Sequence, residues 1–299
     1  MSNYRTDWQT LLAETGPWVV LTGAGISADS GIPTYRDAKG AWLGSQPIQH
    51  QEFLSNPRLR RRYWYRSMNG WPDVRDSAPN ANHYSIADFE ALGKIELLIT
   101  QNVDRLHQRA GSQNALDLHG RLDRVKCLSC GEYYAREWLQ AFLEQLNPKH
   151  IHGGTLTRRP DGDVDLESHA EADMQLIDCE QCGGILMPDV VFFGGSVPRA
   201  DVARCDHAIE HAAGLITLGS SLQVYSGFRL CKKTVALDKP LLVFNEGVTR
   251  ADDIATHKIE SNALAQFRSA VAALETKLTR SSPSPNATIQ TFPEELARP

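Results

Sequence analysis

"PWVVLTGAGISADSGIP", Pro17–Pro33, decides the fold. Its first half is a continuous apolar run of strand length with no polar alternation. Both faces of such a strand must be covered, which is the habit of a parallel sheet. The run breaks at Gly23 and Gly25. A glycine turn there lets backbone approach a phosphate, and a helix opening after it offers unbonded N–H groups. The spacing is not G-x-G-x-x-G, because the glycine after Gly25 is Gly31. Taken alone, the stretch reads equally well as an ordinary strand-to-helix turn.

Working outward, further apolar runs occur at Ile95–Thr100, Asp189–Phe193, Gly214–Gly219 and Pro240–Asn245. Amphipathic helical patterns precede three of them: "NHYSIADFEALG", "RADVARCDHAIEHAA" and "YSGFRLCKKTVALD". Strands alternating with helices predict an α/β, Rossmann-like parallel sheet covered on both faces, with ligands beyond the carboxyl ends of the strands. Those ends are polar: "TQNVDRLH" at Thr100–His107, "GSSLQVYSG" at Gly219–Gly227 and "NEG" at Asn245–Gly247. One polar strand end is an ordinary solvated loop. With the Gly23 turn they make four in one sheet, which points to a dinucleotide crevice.

Four of the six cysteines form two Cys-x-x-Cys pairs, Cys127 with Cys130 and Cys179 with Cys182, each followed by glycine. Two such knuckles close a tetrahedral structural zinc site, one ion per chain. The 48 residues between the pairs exceed ribbon spacing and predict an insertion. Cys205 and Cys231 fall in helical patterns and read as small core residues. Because four thiolates saturate a zinc ion, His119, eight positions before Cys127, needs another explanation.

The composition bounds the partners. With 31 basic and 36 acidic residues the net charge is −5, which gives no pull toward nucleic acid or anionic membranes. Residues 151–185 hold eight acids against Arg158 and Arg159, poor chemistry for a zinc-ribbon nucleic-acid binder. No apolar run approaches the roughly 20 residues that span a bilayer. The N-terminus lacks a signal-peptide core and carries Asp7 and Glu14, so a cytoplasmic protein is expected, and it is read as a monomer.

The motifs "GAGISADSGIPTYR", "TQNVDRLH", "LHG", the two Cys-x-x-Cys pairs, "PDVVFFGG", "GSSLQVYSG" and "NEG" follow one another as they do in the sirtuins. From Trp18 to Phe267 the chain resembles this family of NAD-dependent protein deacylases. "PIQH", "RRYWYR", "NGWP" and "GSSLQVYSG" resemble the class II branch that includes the lipoamidase-type mitochondrial sirtuin, here as a bacterial member. The resemblance implies that NAD is cleaved to nicotinamide and that an acyl group moves from a protein lysine to ADP-ribose. His119 would be the base that takes a proton from a ribose hydroxyl. Gly23, Ala24 and Gly25 would face the pyrophosphate, and Arg36 would sit on the cofactor loop. Gln101, Asn102 and Asp104 would surround the nicotinamide ribose and amide. Ser220, Ser221, Asn245 and Glu246 would hold the adenosine half. Ser27, Ala28, Pro33, Thr34, Tyr35, Val103, Gly219 and Gly247 join this set. An adenine-side position that is often cysteine in the family falls on Ala263, where a backbone contact would have to serve. Val191, Phe192, Phe193 and Gly194 would offer backbone to a strand-like acyl-lysine peptide.

"RLRRRYWYR", Arg58–Arg66, predicts a helix with one buried stripe. Its arginines read first as a solvated face. Tyr63 and Arg66 also match the Tyr-x-x-Arg pair of sirtuins that remove acidic acyl groups, which makes them candidate acyl-pocket residues. Expected boundaries are 1–41, 84–126 and 186–277 for the NAD-binding domain, 42–83 for a helical cofactor-loop and acyl-pocket segment, 127–185 for the zinc module, and 278–299 for a disordered tail. Mono-ADP-ribosyl transfer, long-chain or acidic deacylation on the same fold, an NAD-dependent dehydrogenase and a non-catalytic zinc-ribbon module are the competing readings.

Overall fold

The computed structural model describes residues 6–37, 39–43, 47–152, 157–165 and 171–281. Its large sheet is built around β1 (Trp18–Thr22), in which every residue is buried. β1 pairs in parallel with β2 (Ile95–Thr100) on one side. On its other side it pairs in parallel with the strand Leu215–Leu218. Strand β3 (Ala115–Asp117) extends the first side. The strands Leu241–Phe244 and His257–Ile259 extend the second, giving six parallel strands. The chain leaves β1 in both directions, so the crevice opens where its neighbours diverge.

Successive residues of β1 feed opposite layers, as the two-residue strand period requires. Trp18 and Val20 pack with Leu11, Ile86, Phe89 and Phe267 on one face. These come from α1 (Trp8–Glu14), a helix at Ala81–Ala91 and a long C-terminal helix at Ala263–Ser281. Val19 and Leu21 pack on the other face with Cys205, Ile209, Leu230 and Cys231. Those four come from the helices Arg199–His211 and Tyr225–Ala236. Both cysteines are fully buried, and burial pushes their thiols up to about 11 and about 12. The C-terminal helix runs past position 278, where a tail was expected to begin, and residues 282–299 lie outside the described residues.

A second, antiparallel sheet carries the cysteine knuckles. Its middle strand β4 (Gly120–Cys127) pairs with β5 (Tyr133–Ala135) and with Leu186–Val190. The apolar run at Asp189–Phe193 therefore does not join the parallel sheet, contrary to the expectation from its composition. An apolar run states that a strand is buried, not which sheet buries it. Here the chain returns directly from Cys182 and must run back along β4. The small sheet thus takes Gly120–Lys126 and Leu186–Val190 from segments expected in the large domain.

Two helices cover the other side of this module: α2 (His50–Ser55) and α3 (Pro57–Asp76). Asn56 caps α3, accepting from Arg58 N and Leu59 N, and Pro57 occupies its first turn, where no N–H is missed. A short hairpin, β6 (Thr157–Arg158) with β7 (Val164–Asp165), lies against α3. Contact there is backbone to backbone: a Cβ on Gly70 would stand 2.7 Å from the Gly162 carbonyl. The remaining helices of the chain order are α4 (Ala81–Ala91), α5 (Leu106–Arg109), α6 (Arg136–Leu146), α7 (Arg199–His211), α8 (Tyr225–Ala236) and α9 (Ala263–Ser281). The last four strands are β8 (Leu186–Val190), β9 (Leu215–Leu218), β10 (Leu241–Phe244) and β11 (His257–Ile259).

Candidate active site

A cavity of about 940 Å³ lies at the carboxyl ends of β1, β2, β9 and β10, between the large sheet and the small module. Gly23, Ala24, Gly25 and Ala28 line it from the end of β1, and Thr34, Tyr35 and Arg36 from the loop beyond. Gln101, Asn102 and Val103 come from the end of β2, and Gly219, Ser220 and Ser221 from β9. Asn245 and Glu246 come from β10, and His119, Tyr63 and Val191–Gly194 from the module side. Ser27, Pro33, Asp104, Gly247, Ala263 and Arg66 do not line it. Asp104 instead lines a small adjoining recess with Ala24, Gln101 and Asn102.

The glycines of the β1 loop are required by packing before any ligand arrives. Gly25 N donates to Gly219 O at 2.9 Å, and a Cβ on Gly25 would sit 2.8 Å from that oxygen. A Cβ on Gly23 would sit 2.7 Å from Ser220 Cβ. The two strand-end loops therefore meet so closely that neither Gly23 nor Gly25 leaves room for a Cβ.

Behind the floor, Ser27 is buried and organises the polar groups of β2. Its hydroxyl donates to Asp104 Oδ2 at 2.7 Å and accepts from Asn102 Nδ2 at 3.0 Å. The other Asp104 oxygen accepts from Leu106 N. His83 Nδ1 accepts from Asn80 N at 3.2 Å, so its Nε2–H points to Ser27 Oγ at 3.3 Å. Burial lowers His83 to about 4 and keeps the ring neutral. His107, beside it, bonds Thr22 and is likewise held neutral by burial. Sequence reading missed both histidines. The signal for His83 was the capping box at the start of α4, where Asn80 is the cap and His83 its third residue.

His119 is half-buried at the mouth of β4. Its Nδ1 stands 3.0 Å from Gln101 O, and a carbonyl can only accept, so Nδ1 carries the proton. Nε2 is then a bare lone pair, and it accepts from the Ser226 hydroxyl at 2.7 Å. Desolvation holds the imidazole below its ordinary pKa, with the Gln101 carbonyl opposing. The backbone of His119 anchors the Val191–Gly194 segment, because Val191 N donates to His119 O at 2.8 Å.

The four cysteines of the knuckles converge, with all sulfurs within 4.8 Å of one another. Cys127 and Cys182 sulfurs are 3.5 Å apart, and Cys130 and Cys179 sulfurs 3.7 Å apart. A tetrahedron with Zn–S bonds of about 2.3 Å has edges of about 3.8 Å, so the set fits zinc. The Tyr134 hydroxyl donates to Cys179 Sγ at 3.1 Å, and Ser129 N to Cys127 Sγ at 3.4 Å, which favours the thiolates. His119 is not among these donors.

Two expectations are corrected. Ala263, the first residue of α9, is fully buried in the core, and its neighbours Asn262 and Leu264 line the cavity instead. The right turn of chain faces the cavity, but the start of α9 turns Ala263 inward and its neighbours outward. Arg66 is buried, neither on a solvated face nor on the cavity wall. Its Nε pairs with Asp163 at 2.9 Å and donates to Val164 O at 2.7 Å. Tyr63, one turn away, does line the cavity. The helix face is shared as its spacing predicted, but the insertion hairpin covers the Arg66 end, and nothing in the motif foretold that.

The profile of the Sir2 family matches residues 23–226, the span that holds the glycine loop, His119, all four knuckle cysteines and Ser226. The chain belongs to the Sir2 family. An NAD-dependent protein deacetylase of Xanthomonas axonopodis pv. citri is 47% identical over 243 residues, 81% of this chain and 83% of that protein. NAD-dependent protein deacetylase 2 of Bradyrhizobium diazoefficiens is 46% identical over 241 residues, 81% of this chain and 88% of that protein. Among solved structures, a Sir2 complex with p53 peptide and NAD+ superposes with a TM-score of 0.70 at 32% identity, covering 93% of this chain and all of that one. A Sir2 histidine-to-alanine variant with deacetylated p53 peptide and 3′-O-acetyl ADP ribose gives 0.71 at 31%, covering 89% and 96%. Within the Sir2 fold of this chain, the parallel sheet supplies the crevice and the cysteine module walls it.

Proposed function

We propose that this chain is an NAD-dependent protein lysine deacylase in which His119 is the general base. The observation that carries the reading is the unprotonated Nε2 of His119 in the same cavity as the Gly23–Gly25 loop and the Val191–Gly194 segment. The cavity fits NAD: close-packed glycine backbone for the pyrophosphate, and Ser220, Ser221, Asn245 and Glu246 at the far strand ends for the adenosine half. Bound there, NAD supplies a ribose carbon that exchanges nicotinamide for the acyl oxygen of lysine, and ribose hydroxyls that take over the acyl group.

The residues of the chain prepare that exchange. Asn102 and Asp104 are held rigid by Ser27 and present one amide and one carboxylate beside the recess under Ala24. Arg36 is tethered to Gly40 O and stacked over Trp42, so the cofactor loop is folded onto the cavity. His119 is neutral near pH 7 and accepts a hydroxyl proton at Nε2. Phe192 packs against Phe53 and Tyr63, which fixes the backbone of residues 191–194 for a strand-like acyl-lysine peptide. The zinc holds the module and takes no part in the chemistry.

The module wall also bears on acyl choice. Asp161 and Asp163 line the cavity beside Tyr63, and Asp161 Oδ1 is buried without a hydrogen-bond partner. With Arg66 committed to Asp163, this wall offers carboxyl oxygens and not a free guanidinium. It disfavours acyl groups ending in a carboxylate and favours neutral ones. Incubation with NAD and a panel of acyl-lysine peptides tests the whole reading. Released nicotinamide with O-acyl ADP-ribose supports it; NADH, or no turnover of any peptide, rejects it.

A further inference from the structure

The hydroxyl of Ser226 occupies the only lone pair of the catalytic imidazole, and both side chains line the cavity. Ser226 is the second residue of α8, lines the cavity, and bonds His119 Nε2 at 2.7 Å. The protonation pattern follows from the partners. Gln101 O takes the Nδ1 proton, so Nε2 can only accept, and Ser226 must be the donor. That uses the one proton of the hydroxyl and leaves its two lone pairs for a group arriving from the cavity. No other group approaches Nε2 among the described residues. The reactive nitrogen of His119 is therefore bonded to a serine oxygen that can itself accept a hydrogen bond from the cavity.

We infer that Ser226 is a catalytic residue that relays the proton from the ribose hydroxyl to His119. The inference rests on the deacylase reading above. In the step, the ribose O–H bond breaks and its proton goes to Ser226 Oγ, while the proton already on Oγ passes to Nε2. The electron pair left on the ribose oxygen would form the bond to the acyl carbon, as the carbon–nitrogen π pair there moves onto the lysine nitrogen. Ser226 ends as a neutral hydroxyl and His119 as imidazolium, so no charge remains on serine. Its place in the first turn of a helix favours the transient negative character on Oγ. Release of nicotinamide needs no base and does not involve Ser226.

Three variants test this: Ser226→Val fills the site and excludes water, Ser226→Ala admits water, and Ser226→Thr keeps the hydroxyl. Deacylation and exchange of labelled nicotinamide into NAD are measured on each, with histidine ¹⁵N spectra of the ligand-free proteins. A general base contributes about 10²- to 10⁴-fold, so losing its relay is expected to cost Ser226→Val about 10²-fold in deacylation. Ser226→Ala should lose about 10-fold, because a water can stand in for the hydroxyl, and Ser226→Thr should stay within about threefold. Nicotinamide exchange should be unchanged in all three. In the ligand-free spectra, Ser226→Val should move the His119 Nε2 resonance toward that of a nitrogen with no hydrogen bond, without change of tautomer. Equal losses of exchange and deacylation would assign Ser226 to the fold. Unchanged or faster deacylation in Ser226→Val, with the spectral shift present, would overturn the relay and leave a displaceable contact. An unshifted Nε2 resonance would overturn the contact itself. A wild-type protein that turns over no acyl-lysine peptide would count against the deacylase reading, while the spectra would still judge the hydrogen bond.

Discussion

A histidine is told apart as base or metal ligand by where its two nitrogens point. His119 gives Nδ1 to a carbonyl and turns Nε2 to the cavity, while four sulfurs gather elsewhere within 4.8 Å. His119→Ala should therefore lose about 10²- to 10⁴-fold in deacylation and keep one zinc per chain by metal analysis. Zinc at half occupancy or less would make His119 a ligand. Arg66 is the opposite case, a residue whose motif pointed to the substrate and whose contacts point to the fold. Removing one member of a buried pair leaves the other unsatisfied, which typically costs 3–5 kcal/mol, and about half that where the survivor can neutralise itself. Asp163 can do so, because burial raises it to about 7. Arg66→Met should accordingly lower stability by about 2 kcal/mol in urea unfolding and reduce turnover of acetyl- and succinyl-lysine peptides alike. A selective loss on the succinyl peptide would restore the acyl-pocket role.

At the scale of elements, the strands with uniform burial were legible and the pairings were not. Ile95–Thr100 is a strand with the bounds its apolar run suggested, and the helical patterns before Ile95, Gly214 and Pro240 became α4, α7 and α8. β4 escaped notice because its polar and apolar residues alternate for a sheet with one face on the module core. Partner choice for β8 depended on the knuckles that turn the chain back. In the cavity, residues at strand ends were readable from their types, whereas Ser226, His83 and the Arg66–Asp163 pair depend on contacts between distant elements. The β6–β7 hairpin carries its own prediction. Asp163 has a folded pKa near 7 against about 4 when unfolded, so the folded state binds more protons between those values. Stability should fall as pH rises through about 4 to about 7, by on the order of 1–3 kcal/mol. Asp163→Asn should flatten that slope in urea unfolding; a slope equal to that of the wild type would remove Asp163 as its source.

For the whole molecule, the question is how a zinc site outside the chemistry reaches the active site. β4 begins at Gly120, next to His119, and ends at Cys127. β8 begins after Cys182 and ends at Val190, and the following residue, Val191, bonds His119 O. The two strands that leave the metal knuckles are thus the two that hold His119 and the Val191–Gly194 segment. They close tightly at the active-site end, where a Cβ on Gly120 would stand 2.1 Å from Asp189 O. The six-stranded sheet has its own cores on both faces and does not depend on the knuckles. Structural zinc supplies on the order of 10 kcal/mol to the folding of its own site, more than most small modules have in reserve. Chelation of zinc, or Cys179→Ser, should therefore abolish deacylation by loosening β4 and β8 while the large sheet stays folded. Hydrogen exchange should rise at residues 120–135 and 186–195 and remain slow in β1, β9 and β10. Uniform exchange across both sheets would show that the two parts fold as one unit. Full activity without metal would show that the knuckles hold neither the base nor the peptide segment.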